Sequence, residues 1–141
     1  MQTFLPYHDI KQSVKVLDRQ RLGKQRVEGM QILHTLIGVS DGWSNHPAVL
    51  MWKGHEAALC KYTIECCNEW TRRGYVDNIK PRVMSILEYC FQSNDTLPDY
   101  FDDEFHLSHQ SNLVRKDPIH YGAFFKVNPD LPYKWPVQTN A

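Results

Sequence analysis

The chain lacks most of the signatures that would settle a function at sight. It has no uninterrupted run of about eighteen apolar residues, so nothing reads as a membrane span. Its opening "MQTFLPYHD" lacks the cationic-then-apolar order of a secretion signal, which predicts a cytosolic protein. The four cysteines (Cys60, Cys66, Cys67, Cys90) include an adjacent pair and no C-x-x-C, so they predict neither a zinc site nor a disulfide framework. None of the seven histidines falls into H-x-x-x-H or H-E-x-x-H spacing. Gly-rich phosphate loops, Ser/His/Asp signatures, paired metal carboxylates, internal repeats and low-complexity tracts are also missing. No metal and no organic cofactor is expected. Net charge is lacking as well: sixteen Lys and Arg balance sixteen Asp and Glu, so any basic footprint must come from segregation along the chain.

Segregation is present. Residues 11–26 carry Lys11, Lys15, Arg19, Arg21, Lys24 and Arg26 against Asp18 alone, while residues 95–104 carry Asp95, Asp99, Asp102, Asp103 and Glu104. The length of 141 residues suits one domain, with a core large enough to need no staples. We expect a single helical domain over 1–141, all-α and compact, with about four helices around a central one and an irregular aromatic tail.

Asp9 predicts an N-cap for a short helix to about Leu17, and Asp18 another for a helix to about Leu36. On that second helix Leu22, Gly29, Leu33 and Leu36 form a narrow apolar stripe. Arg21, Gln25 and Glu28 line one border of the stripe and Arg26 the other. Charges at the edge of a buried face must pair with each other or with a ligand, although Arg21, Gln25 and Glu28 also have the spacing of a plain surface ladder. Residues 38–47 read as a loop. Asn45 with Pro47 then predicts the start of one long central helix that ends at Gly74, its core face formed by Trp52, Leu59, Thr63, Cys66 and Trp70. Gly54 within it would be a close crossing or a tolerated interior glycine. A third helix is expected over residues 80–93, with Val83, Ile86, Leu87, Cys90 and Phe91 inward. A loop with at most one helical turn should occupy 94–107, and a shorter fourth helix 108–117. Three prolines among residues 129–136 exclude regular structure from the tail, where Tyr133 and Trp135 either pack over the helices or stack on a ligand's bases.

Guanidinium forks suit phosphate oxygens and aromatic faces suit bases, so the residues alone point to a ligand that carries both. Motifs sharpen this. The run "NHPAVLMWKGHEAALCKYTIECCNEWTRRGY" (45–75) resembles the central helix of the phage pyrimidine-dimer DNA glycosylase/AP-lyase family, with its His-led start and its Glu-Cys-x(3-4)-Arg-Gly-aromatic close. "RVEG" (26–29) falls where that family has an Arg-Val pair, "SHQSNLVRK" (108–116) resembles its Ser-led helix with a later phosphate-contacting arginine, and "LPYKWP" (131–136) its aromatic-Tyr-Lys tail. The wording "RLGKQRVE" with "LPYKWP" is similar to a short branch of that family.

The resemblance implies an all-helical fold and a DNA duplex as partner. It also implies a nucleophile at the chain's first amine, which attacks the sugar C1′ and forms a Schiff base while a glutamate moves protons. On this reading Met1 and Gln2 supply the nucleophilic end. The family loses its methionine to expose a threonine, whereas Gln2 is bulky enough to keep Met1 in place. Arg26 would be a phosphate or sugar-side cation, His46 the polar opener of the central helix, Arg115 a phosphate contact, and Tyr133 with Lys134 the tail contacts. The family's glutamate stands three residues before its Arg-Val pair; here that position is Gly23. Glu28 and Arg21 therefore enter from the residues themselves, with Gln25 orienting a water or a base. The expected enzyme is a glycosylase/lyase acting on damaged or modified DNA, its cations from the early helix, the penultimate helix and the tail converging on the first nitrogen. Two alternatives stay open: a small-nucleotide-binding protein that cleaves or sequesters its ligand, and a non-catalytic DNA- or protein-binding module.

Overall fold

The computed structural model describes residues 1–137. It is all-helical, with α1 (Ile10–Lys15), α2 (Arg19–Leu36), α3 (Pro47–Leu50), α4 (Glu56–Arg72), α5 (Lys80–Cys90), α6 (Asp103–Lys116) and α7 (Pro118–Tyr121), and no strand among the described residues. Four are of substantial length and three are single turns or little more. α4 lies at the centre, packed most extensively on α2 and α5 and also on α1.

The caps of the first two helices are those the sequence predicts. The Asp9 carboxylate accepts from the Gln12 amide at 2.8 Å, and that of Asp18 from the Arg21 amide at 3.3 Å. Leu22 and Leu33 are fully buried, and Gly29 lets α2 approach α4 closely. A Cβ at Gly29 would run into Thr63 Oγ1, which is itself held by the Leu59 carbonyl at 2.8 Å.

The expected long central helix is broken in two. Pro47 opens α3 with His46 as its N-cap, the Nδ1 accepting from the Ala48 amide at 3.0 Å; α3 then ends within one turn. Gly54 takes φ +86°, a left-handed conformation that redirects the backbone before α4 begins at Glu56. Gly54 is thus a break, and the close crossing belongs to Gly29. Distant groups satisfy the new helix start: Ser93 Oγ accepts from Ala57 N at 2.8 Å, and the Asn94 carbonyl from Ala58 N at 3.1 Å. Trp52 consequently sits in the elbow between α3 and α4, fully buried.

Two other expectations need correction. α5 ends at Cys90, leaving Phe91 66% exposed instead of inward. α6 begins at Asp103, five residues before the expected start, because Asp102 caps it through Phe105 N at 2.9 Å and Asp103 and Glu104 suit the positive end of its dipole. The extra turn brings His106, His109 and Gln110 onto one face of a single helix.

Candidate active site at the N-terminal segment

Residues 2–7 form no regular element, yet Thr3, Phe4, Leu5 and Pro6 are buried. A buried extended segment must find a partner for each backbone amide and carbonyl it takes out of water. Here side chains from three helices, α2, α4 and α6, supply most of them. Glu28 Oε2 accepts from Gln2 N at 3.1 Å, and Gln25 Nε2 donates to the Gln2 carbonyl at 2.9 Å. The amide of Phe4 donates to Gln25 Oε1 at 2.9 Å, while the Phe4 carbonyl accepts from the Tyr62 hydroxyl at 2.8 Å. Leu5 N donates to His109 Nδ1 at 2.9 Å, the Leu5 carbonyl contacts His106 Nδ1 at 2.7 Å, and Gln110 Nε2 reaches the Pro6 carbonyl at 2.8 Å. Trp52 Nε1 donates to Thr3 Oγ1 at 3.0 Å. Among the described residues no buried side-chain polar atom lacks a partner.

This lattice fixes the position of Met1. The α2 border formed by Arg21, Gln25 and Glu28 faces it, as their four- and three-residue spacing requires. A concavity of about 230 Å³ opens there, lined by Met1, Gln2 and Glu28 together with the cations Arg21, Lys24 and Lys116. Arg21 is steadied by Asp18 at 3.1 Å. Burial pushes the Asp18 carboxyl upward, but hydrogen bonds from Tyr121 and Arg21 outweigh that, and the group titrates below its ordinary value. The site thus presents one carboxylate and three cations around the first residue of the chain.

Arg26 is not brought there. From the opposite border of α2 it forms an ion pair with Asp77, Nε to Oδ1 at 2.8 Å, with the guanidinium carbon 4.8 Å from the Trp70 ring centroid. Asp77 also accepts from Ile79 N and Lys80 N at the start of α5. Burial would raise its pKa, yet these backbone donors and Arg26 lower it overall. A larger open groove of about 1090 Å³ runs past this border and shares Gln20, Lys24 and Glu28 with the first concavity. Gly23, where the resemblance leads to the expectation of a glutamate, lies under the edge of Trp70, where a Cβ would stand 3.0 Å from the ring.

Arg115 is likewise outside the residues lining the concavity; its Nη1 donates to the carbonyls of Pro129 and Leu131 at 2.7 and 2.8 Å and so clips the tail to α6. Its neighbour Lys116 faces Met1 instead. Lys134 pairs with Asp102 at 3.0 Å and Glu104 at 2.9 Å. Tyr133 packs on His109, ring centroids 4.8 Å apart, and its hydroxyl lies 2.8 Å from His109 Nε2 and beside the Gln2 side chain. Because His109 Nδ1 accepts from an amide, the proton of the neutral ring sits on Nε2 and is donated to Tyr133. Full burial, aided by the charge of His106, drives the His109 pKa down to about 3. His46 stands nearer the site: burial first, then the ammonium charge of Met1, holds its pKa below the ordinary value.

Sequence reasoning passed over Lys116, Lys24, Tyr62 and His109 as site residues. The two lysines differ from Arg115 and Arg26 only by one or two helical steps, and those steps have meaning only once the helices are placed. No spacing rule announces Tyr62 or His109, because what they serve is an irregular segment. Among the described residues no group of three His, Cys, Asp or Glu is placed to hold a metal ion, and no helix is long and apolar enough to cross a membrane.

A family model described as pyrimidine dimer DNA glycosylase matches residues 1–82, which include the N-terminal segment, all of α2 and α4, and Asp77. No curated protein and no solved structure matches the chain.

Proposed function

The chain belongs to the pyrimidine dimer DNA glycosylase family, and from that premise we propose that it cleaves an N-glycosidic bond in damaged or modified DNA with the Met1 amine as nucleophile. The amine nitrogen bonds to the sugar C1′ as the C1′–base bond breaks, and the base leaves with a proton. Opening of the sugar ring carries a proton from Glu28 to O4′ and leaves a Schiff base between Met1 and C1′. Loss of a C2′ proton to Glu28 then expels the 3′ phosphate. Arg21, Lys24 and Lys116 neutralise the flanking phosphates.

The observation that carries this reading is the Glu28 carboxylate on the amide of Gln2, which puts an acid–base group of α2 beside the amine although Gly23 occupies the family position. The rigid anchoring of residues 2–6 supports it further, since a nucleophile reacts efficiently only from a held geometry. A free nucleotide is the second reading, favoured by the small size of the concavity and the zero net charge.

Borohydride reduction in the presence of an abasic duplex tests both. A covalent adduct is expected, with peptide mapping to Met1, and free nucleotides should neither form it nor compete. Duplex binding should weaken with salt at a log–log slope of about −3, for three neutralised phosphates. No adduct, or one that maps to a lysine, defeats the amine mechanism; competition by a free nucleotide favours the second reading.

A further inference from the structure

Trp43 is 61% exposed, unlike Trp52, which is buried, and Trp70 and Trp135, which are half-buried. It is also the one described non-glycine residue with positive φ, at 65°. A bulky side chain rarely adopts that conformation, and when the surrounding structure holds it there the strain accompanies a functional position more often than chance. The loop does hold it. Val39 N and Ser40 N donate to the His34 carbonyl at 2.8 and 3.1 Å, and Thr35 Oγ1 donates to the Gly42 carbonyl at 2.8 Å, so the loop is tied to the end of α2. His46 N donates to the Trp43 carbonyl at 2.9 Å.

Position gives the exposed ring its meaning. Trp43 meets His46 edge to face at 5.7 Å, His46 meets Trp135 at 5.6 Å, and Trp135 meets Tyr133 at 4.5 Å. An aromatic ribbon therefore leads from Trp43 past the imidazole that feels the Met1 charge to the ring beside Gln2. The ribbon ends on Tyr133, stacked on the His109 that accepts from Leu5 N, and so reaches the same N-terminal segment whose Met1 lines the concavity of Arg21, Lys24 and Lys116. Cations suited to a phosphate backbone and a solvent-facing indole joined by ring contacts to the same N-terminal segment are the two halves of a contact to an unstacked nucleotide.

We infer that Trp43 stacks on a nucleobase of the DNA strand when its backbone lies against Arg21, Lys24 and Lys116, stabilising the distorted duplex that exposes the sugar to Met1; the inference rests on the proposed DNA reading. Making a sugar accessible requires unstacking, and an indole face replaces part of the stacking that is lost. The strained, anchored backbone pre-places the ring, so little ordering is left for the moment of binding.

The test is binding of a labelled abasic duplex by wild type, Trp43→Ala and Trp43→Phe, with melting curves and borohydride trapping run alongside. Trp43→Ala should bind about tenfold more weakly, Trp43→Phe within about threefold of wild type, and all three should melt alike because the side chain is exposed. The duplex should quench wild-type tryptophan emission, and Trp43→Phe should lose most of that quench. Equal duplex affinity for Trp43→Ala and wild type, with trapping intact, overturns the stacking role and leaves the proposed chemistry standing. Absent trapping with the expected binding and quenching does the reverse, and a wild type that binds no duplex overturns both.

Discussion

The two borders of α2 carry the same kind of side chain and do opposite things. On one, Arg26 is nine-tenths buried, locked to Asp77 and laid over Trp70. On the other, Arg21, Lys24 and Glu28 line an open concavity at the first residue of the chain. The difference lies in what arrives across from each border. Asp77 meets Arg26 from the turn before α5 and consumes its charge, whereas the segment that meets Glu28 is held by its backbone and brings an amine. A cation's role in this protein is set by its partner, and neither residue type nor position on the helical wheel reveals it alone.

The strongest way to break that comparison is Glu28→Gln. It should lower turnover on a lesion-bearing duplex by about 10²–10⁴-fold while duplex affinity changes little, because the amide keeps a hydrogen bond to Gln2 N but cannot move a proton. Steady-state rates beside anisotropy binding would check it, and full turnover would remove Glu28 from the chemistry.

On the other border Arg26→Met should lower unfolding free energy by about 3–5 kcal/mol, the cost of leaving the Asp77 carboxylate buried without its charged partner. Trapping by the fraction still folded should persist. Denaturant titration measures the first effect and reduction of the same sample the second. A stable Arg26→Met protein that no longer binds duplex would merge the two borders into one binding surface.

Acid should separate the two sides with a smaller effect. His109 is neutral in the folded protein down to about pH 3, whereas the unfolded chain takes up its proton from about pH 6.5 downward. The unfolded state therefore binds more protons through that window, and stability falls as pH drops from 6.5 toward 3, by up to about 1.4 kcal/mol per pH unit. Asp77, its pKa lowered, contributes stability that is present above the ordinary value of 3.8 and lost only as pH falls through the depressed one. Anchoring of Leu5 should thus weaken before the Arg26 pair does. Urea midpoints against pH should show this, and His109→Gln should flatten the slope between pH 6.5 and 4.

Local chemistry made some of this legible. Asp9 and Asp18 announced their helices because a carboxylate before an amphipathic run answers free amides within three residues. The wheel separated Arg26 from Arg21, Gln25 and Glu28 because helical pitch is fixed. The break at Gly54 was hidden, since a glycine inside an apolar period looks the same whether its φ is negative or positive. The extra turn of α6 was hidden as well, because an acidic, aromatic stretch after a proline resembles a loop until Asp102 is seen capping it.

The sequence alone determined the helical class, the two main caps, the faces of α2 and the presence of a carboxylate among cations, all of which follow from interactions within a few residues along the chain. Only the tertiary structure decided which cations remain open, since Asp77 lies 51 residues from Arg26 and His109 lies 104 from Leu5. The extended segment at residues 2–6 has no hydrogen-bonding pattern of its own, and only the packed helices could give its backbone partners.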